Sequence, residues 1–328
     1  MKTTFTLLLL FLTSLGAFAQ TYSELVSLSF SHLEQNKYKS FEDTYPKLFT
    51  AYLKEQATDY QAALTATADG DMAKAFAALD RVVTDSLLLD EIQTDKSFAA
   101  LHTAKEWNSL LFKIKRIEQG YHKKARKALL AINAHDQSIR LLVLEAYRKY
   151  GKESNEALDL RTRMKEIDAA SAMAIQEIIN KYGWLGVDKV GYFGNQVYFL
   201  AIQHAEDTVV QQKYLPIMRK AVTEGNAKPW QYAFLQDRIL MNQGKRQIYG
   251  TQKIVSDDPA KSYIIPLQDP ENVDSLRAEV GLGPLQEALQ EDGMTWDLAA
   301  YKQRLPEIEK MYRERYLQAQ AAKQKQKP

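Results

Sequence analysis

The chain contains no cysteine. That excludes disulfides, thiolate metal sites and the lipid-anchoring cysteine of a bacterial lipoprotein. Histidine is scarce, with five in 328 residues. They are far apart and never take the HExxH or paired spacing of a zinc centre, and the Asp257-Asp258 turn lacks the EF-hand order, so no metal is expected. Blocks of one charge are missing too: 43 basic and 41 acidic residues are interleaved along the chain. A nucleic-acid footprint, which needs a basic face, has no support in that pattern. After the amino terminus no apolar run approaches the ~20 residues that span a bilayer. Gly186, Gly191 and Gly194 do not follow the phosphate-cradling GxxxxGK[ST] pattern and read as turns. No cofactor is expected.

What is present begins with a processing signal. Met1-Lys2 gives a positive start, residues 5–12 an apolar core, and Ala17-Phe18-Ala19 the small-x-small pattern cut by a signal peptidase. The expectation is a signal peptide over 1–19, cleavage before Gln20, and an exported protein, periplasmic or extracellular, with no membrane attachment afterwards. Hydrophobic residues at 45% and charged residues at 26% are ordinary for a folded chain. The length accommodates two domains of roughly 100–200 residues each.

The fold expected is mainly α. Residues 20–120 read as short amphipathic helices. Within 56–89, Ala63, Ala75, Leu79 and Val82 take the spacings of a 34-residue helix-turn-helix repeat about Gly70. This resembles a tetratricopeptide repeat, and Asp95-Lys96-Ser97-Phe98 with Leu101, Trp107, Leu110 and Leu111 resembles its closing helices. The resemblance implies a concave surface for a protein or peptide partner; a helical domain that merely caps its neighbour reads equally well. Residues 121–292 form the second, helical domain. A long helix running from about 117 or 120 to Tyr150 should end at Gly151, with Asp136 and Arg140 inside its apolar stripe. Separate helices over 156–167 and 172–182 follow, then a loop at Trp184 and a helix from Asn195. Asp207 N-caps the next helix, in which Pro216 predicts a kink; another runs from Lys228-Pro229 to Gly244. Two β-prone runs, 247–255 and 263–265, predict a small hairpin. Asp269-Pro270 opens a helix to Gly281, and 293–328 is a charged helix and tail.

Polar residues on apolar stripes single out one region. Asp237 lies in the stripe of Trp230, Ala233, Phe234, Leu240 and Met241, and His204 in line with Val197, Leu200 and Ala201. A buried polar group left unpaired costs roughly 1–3 kcal/mol, so both residues predict specific partners. Together, Asp136-Gln137-x-x-Arg140, Gly183-Trp184, Gln203-His204-Ala205, Asp237-Arg238, Gly244-x-x-Gln247-x-Tyr249-Gly250-Thr251-Gln252 and Asn272-Val273-Asp274 with Arg277 resemble a bacterial family of unknown function over about 131–289. Leu185 and Glu206 stand where that family usually has proline and aspartate. The resemblance implies a domain and a residue list, and no activity comes with it.

Three classes of function follow. The first is a binding or scaffold protein, its repeat-like helices engaging a partner and its second domain holding a polar ligand. Candidate ligand residues are Asp136, Arg140, Trp184, Gln203, Arg238, Gln247, Tyr249, Thr251, Gln252 and Arg277. The second is a hydrolase or lyase with His204 as general base and Asp136 or Asp237 orienting it. Catalytic candidates are therefore His204 and Asp237. With no serine or threonine in a nucleophile elbow, water would be the nucleophile. The third, a metal site, is the weakest. Whether the chain is an enzyme, and in what oligomeric state it works, the residues leave open.

Overall fold

Spacings of three and four between apolar residues recur along most of the chain, and helices form accordingly. The computed structural model describes residues 20–84, 88–256 and 258–325. The expected signal peptide, 1–19, lies outside the described residues. The helices are α1 (Tyr22–Glu34), α2 (Tyr38–Glu42), α3 (Tyr45–Gln56), α4 (Thr58–Ala68), α5 (Met72–Thr84), α6 (Leu89–Thr94), α7 (Lys105–Gln119), α8 (Lys123–Tyr150), α9 (Asn155–Tyr182), α10 (Val187–His204), α11 (Thr208–Thr223) and α12 (Pro229–Asn242). After them come β1 (Lys253–Ile254), β2 (Tyr263–Ile264), α13 (Val273–Glu279), α14 (Leu285–Gln290) and α15 (Leu298–Lys325). The protein is mainly α with one small antiparallel hairpin, Lys253 opposite Ile264 and Ile254 opposite Tyr263. No described helix is long and apolar enough to cross a membrane.

Four apolar clusters hold these elements. Ala63, Ala75, Leu79 and Val82 are all buried in the cluster that joins α4 and α5 to α6 and α7. A second unites Leu25, Phe41, Tyr45 and Leu48 of α1 to α3 with Ile139 and Leu142 of α8 and Leu160 of α9. The N-terminal helices thus lean on the carboxyl half of α8. The third cluster packs α8 to α12 around Tyr198, Tyr214 and Met218. The last seats β2, α13 and α14 against Tyr301, Ile308 and Tyr312 of α15.

Two expectations about the middle of the chain need correction. Residues 155–182 form one helix of 28 residues instead of two. Nothing in Asp168-Ala169-Ala170-Ser171 breaks a helix, and alanine is its best former. Ala157, Leu160, Asp168, Ser171, Ile175 and Ile178 are buried along one continuous face. The turns expected around Gly191 are instead a break inside α10, where Gly191 takes φ +73° while the helix continues on either side. A Cβ there would also stand 3.3 Å from the Tyr121 hydroxyl, so glycine is required on both counts. Asp207 caps α11 as expected, accepting from the Val209 amide at 2.8 Å, and Pro216 lies inside that helix.

Candidate polar ligand site

Asp136 stands at the middle of α8 with no solvent exposure. Its Oδ1 meets His204 Nδ1 at 2.9 Å, and its Oδ2 accepts from Gln137 Nε2 at 2.6 Å. One turn on, Arg140 Nη1 lies 3.3 Å from Asp136 Oδ1 and donates to the Asp136 carbonyl at 3.0 Å. Its Nη2 donates to Asp168 Oδ1 on α9 at 2.7 Å. The helices α8, α9 and α10 thus bring two carboxylates, a guanidinium and an imidazole together. Burial alone would raise the Asp136 carboxyl, but the hydrogen bond and charge of His204, then Arg140 and Gln137, outweigh it and hold it below the usual range. Asp168 goes the other way: burial prevails over Arg140 and raises it. An ionised Asp136 can only accept, so Nδ1 of His204 carries a proton, and Nε2 is the ring nitrogen left for another partner, an acceptor on the neutral ring and a donor on the charged one. The His204 side chain is 20% exposed, and among the described residues nothing bonds Nε2.

Asp237 has a different task. It is fully buried on α12, and its Oδ1 accepts from the amides of Ile248 at 2.7 Å and Tyr249 at 3.2 Å. Its Oδ2 accepts from the Tyr249 and Thr251 amides, each at 3.1 Å, and from Thr251 Oγ1 at 3.0 Å. Burial nonetheless raises its carboxyl above the ordinary value, backbone donors notwithstanding. All of this capacity goes into folding the loop at 248–251, and Asp237 makes no bond to His204. Of the two acids considered as orienting groups, Asp136 holds that position.

The loop is tied again from within. Gln247, with no exposure, donates Nε2 to the carbonyls of Gln252 at 2.8 Å and Ile265 at 2.7 Å, while its Oε1 accepts from the Gln252 amide at 2.8 Å. Arg277 donates to the carbonyls of Tyr249 at 2.9 Å and Gly283 at 2.7 Å. These residues are architecture for the loop, and the loop sets Gln252 in place. Gln252 Oε1 then accepts a hydrogen bond from Nε of Arg238 at 2.6 Å. Burial, and next the nearby Arg140, lower the Arg238 guanidinium. Among the described residues no carboxylate pairs with it.

Trp184 and Gln203 fall elsewhere. Trp184 is buried against Tyr198, the rings stacked at 4.9 Å, within the core of α8 to α12. Gln203 is buried beside His204, its Oε1 without a hydrogen-bond partner.

Two site residues escaped the sequence reading. One is Asp168. The other is Gln211, whose Nε2 donates to the carbonyls of Gln203 at 3.2 Å and Ala205 at 2.9 Å, while its Oε1 accepts from Asn242 of α12 at 3.0 Å. It thereby satisfies the orphan carbonyls where α10 ends and fixes His204 relative to α12. A signal existed for both. Asp168 lies on the face of Leu160, Ser171 and Ile175, and Gln211 heads the stripe of Tyr214, Met218 and Ala221.

The family of unknown function DUF6624 matches residues 123–298. The chain belongs to this family. The DUF6624 portion starts with the first residue of α8 and reaches the first residue of α15. It contains every residue of the cluster and of the loop. Comparison with curated proteins finds no match, and comparison with solved structures finds none either. Clefts lie outside the cluster as well. One of about 290 Å³ runs between α3, α6, α8 and α10, and one of about 890 Å³ is lined by Tyr22, Lys54, Glu55 and Asp95.

Proposed function

We propose that this DUF6624 protein is an exported helical binding protein that holds a polar ligand at the Asp136, Arg140, His204 and Arg238 cluster. The observation that carries this reading is the unequal use of hydrogen-bonding capacity. Asp136, Asp237 and Gln247 spend theirs inside the protein, whereas Nε2 of His204 is left open on a side chain 20% exposed. Nε2 is thus the atom of the cluster that meets solvent or a ligand. The N-terminal helices, with their cleft of about 890 Å³, suit a protein or peptide partner.

The test compares the secreted protein with His204→Gln by thermal denaturation against fractions of periplasmic extract. Glutamine keeps a hydrogen-bonding side chain of similar size, so the variant should melt close to the wild type yet lose any ligand-dependent rise. A variant that melts much lower, with neither protein responding to any fraction, would make His204 a structural residue.

A second reading has its own support. Asp136 at 2.9 Å from Nδ1 of His204 is the carboxylate and imidazole pairing of a general base whose other nitrogen faces a reactant. A hydrolase or lyase of this kind would activate water through Nε2. Turnover that disappears in both His204→Gln and Asp136→Asn would favour it over binding alone.

A further inference from the structure

Arg238 poses a problem that the polar-site reading alone does not solve. It is a partly buried cation on α12 whose one hydrogen bond among the described residues goes to a neutral group, Gln252 Oε1 at 2.6 Å. Its two terminal nitrogens are unspent. A partly buried guanidinium without a counter-charge has its terminal N–H groups free for a partner of opposite charge. The acids nearby are engaged: Asp136 by His204 and Arg140, Asp168 by Arg140, Asp237 by the loop. Nor is the orientation arbitrary. Arg238 and Asn242 are one turn apart on α12, hence on one face. Asn242 donates to Gln211, and Gln211 holds the carbonyls on either side of His204 at 3.2 and 2.9 Å. The face of α12 that bears Arg238 therefore looks toward the end of α10, where His204 sits.

We propose that the space between the ends of α10 and α12 takes an oxyanion, a carboxylate or phosphate group, on the terminal nitrogens of Arg238 with Arg140 and His204 beside it. The proposal rests on the polar-site reading and names the ligand chemistry of that site. A guanidinium offers parallel N–H groups that match both kinds of oxyanion. Gln252 fixes the plane of that guanidinium through Nε, and Asp237 fixes Gln252 through the loop, so the donor is set before the ligand arrives. His204 adds an acceptor when neutral and a donor when protonated, which suits an anion that carries or loses a proton.

The experiment follows melting of the secreted protein at constant ionic strength in chloride, with inorganic phosphate, acetate or acetamide added. The expected result is a saturable rise with phosphate or acetate and none with acetamide. Saturation at lower phosphate than acetate assigns a phosphate-bearing ligand, and the reverse a carboxylate. Arg238→Met should weaken the response at least about tenfold, the scale of one lost charge-assisted bond. Its melting in chloride alone is the baseline for that comparison, because the change also takes the donor from Gln252 Oε1. Should Arg238→Met fail to fold, the Nε–H resonance of Arg238 in the wild type reads the same titration and should move with the anions. Equal responses to acetate and acetamide would overturn the anion while leaving a polar site in place. Anion responses that persist in Arg238→Met, or an absence of response to all three probes, would overturn the proposal.

Discussion

Replacing Asp237 with asparagine should destabilise the protein by about 2–3 kcal/mol. The four donors on its carboxylate are the amides of Ile248, Tyr249 and Thr251 and the Thr251 hydroxyl, at 2.7 to 3.2 Å. An asparagine oxygen can still serve Ile248 and Tyr249. Its NH2 group, however, would face the Thr251 amide, donor against donor. Each buried donor stranded in this way costs roughly 1–3 kcal/mol, and part of that is recovered because a neutral side chain no longer suffers burial of charge. Asp237→Ala strands all four donors and should cost more, about 3–5 kcal/mol, the scale of breaking a buried charged network. The assay is the urea midpoint at neutral pH, with the slope checked for constancy. In both variants the Nε–H resonance of Arg238 should also shift, since Gln252 loses its support. A change within about 0.5 kcal/mol, the range of a surface substitution, would refute the assignment of Asp237 as the anchor of the loop.

Three further outcomes can be measured. Gln247→Ala should cost about 3 kcal/mol in the same urea assay, because it leaves the Gln252 amide and the Ile265 carbonyl without their partner at a site where Gln247 has no exposure. In the N-terminal helices burial alone would raise the Asp95 carboxyl, yet hydrogen bonds from Lys54 and Tyr60 bring it from 3.8 down to about 2. A depressed acid stabilises above its unfolded value and loses that contribution as pH falls through the folded one, so about 2 kcal/mol should vanish between pH 3.8 and 2, and Asp95→Asn should flatten that part of the stability profile. Finally, the proposed export predicts that mass spectrometry of material recovered outside the cytoplasm gives Gln20 as the first residue, and an intact Met1 on such material would refute the cleavage site.

How far these features could be read in advance depended on whether the signal was local. The ends of α12 were legible because Pro229 and Gly244 mark them, and Asp237 was legible because it interrupts an apolar stripe. The place of Asp136 and Arg140 in the apolar stripe of α8 was likewise legible from spacing. Asp168 was hidden because 156–182 read as two helices, and a stripe cut in half does not show which polar residue it carries. Which acid meets His204 could not be decided from sequence, since Asp136 and Asp237 both lie on buried faces and only the packing of α8 against α10 distinguishes them. The role of Gln247 as a clip between Gln252 and Ile265 depends on contacts that no periodicity reports.

The account stands most directly on the state of one imidazole. With Asp136 ionised and 2.9 Å from Nδ1 of His204, the proton of the neutral ring belongs on Nδ1 and the lone pair of Nε2 faces outward. Nitrogen-15 NMR of the histidine side chains, at a pH where His204 is neutral, reads this tautomer from the two ring-nitrogen shifts. The account predicts a protonated Nδ1 and a bare Nε2 that moves when phosphate or acetate is added. A proton on Nε2, with neither nitrogen responding to any anion, would contradict it.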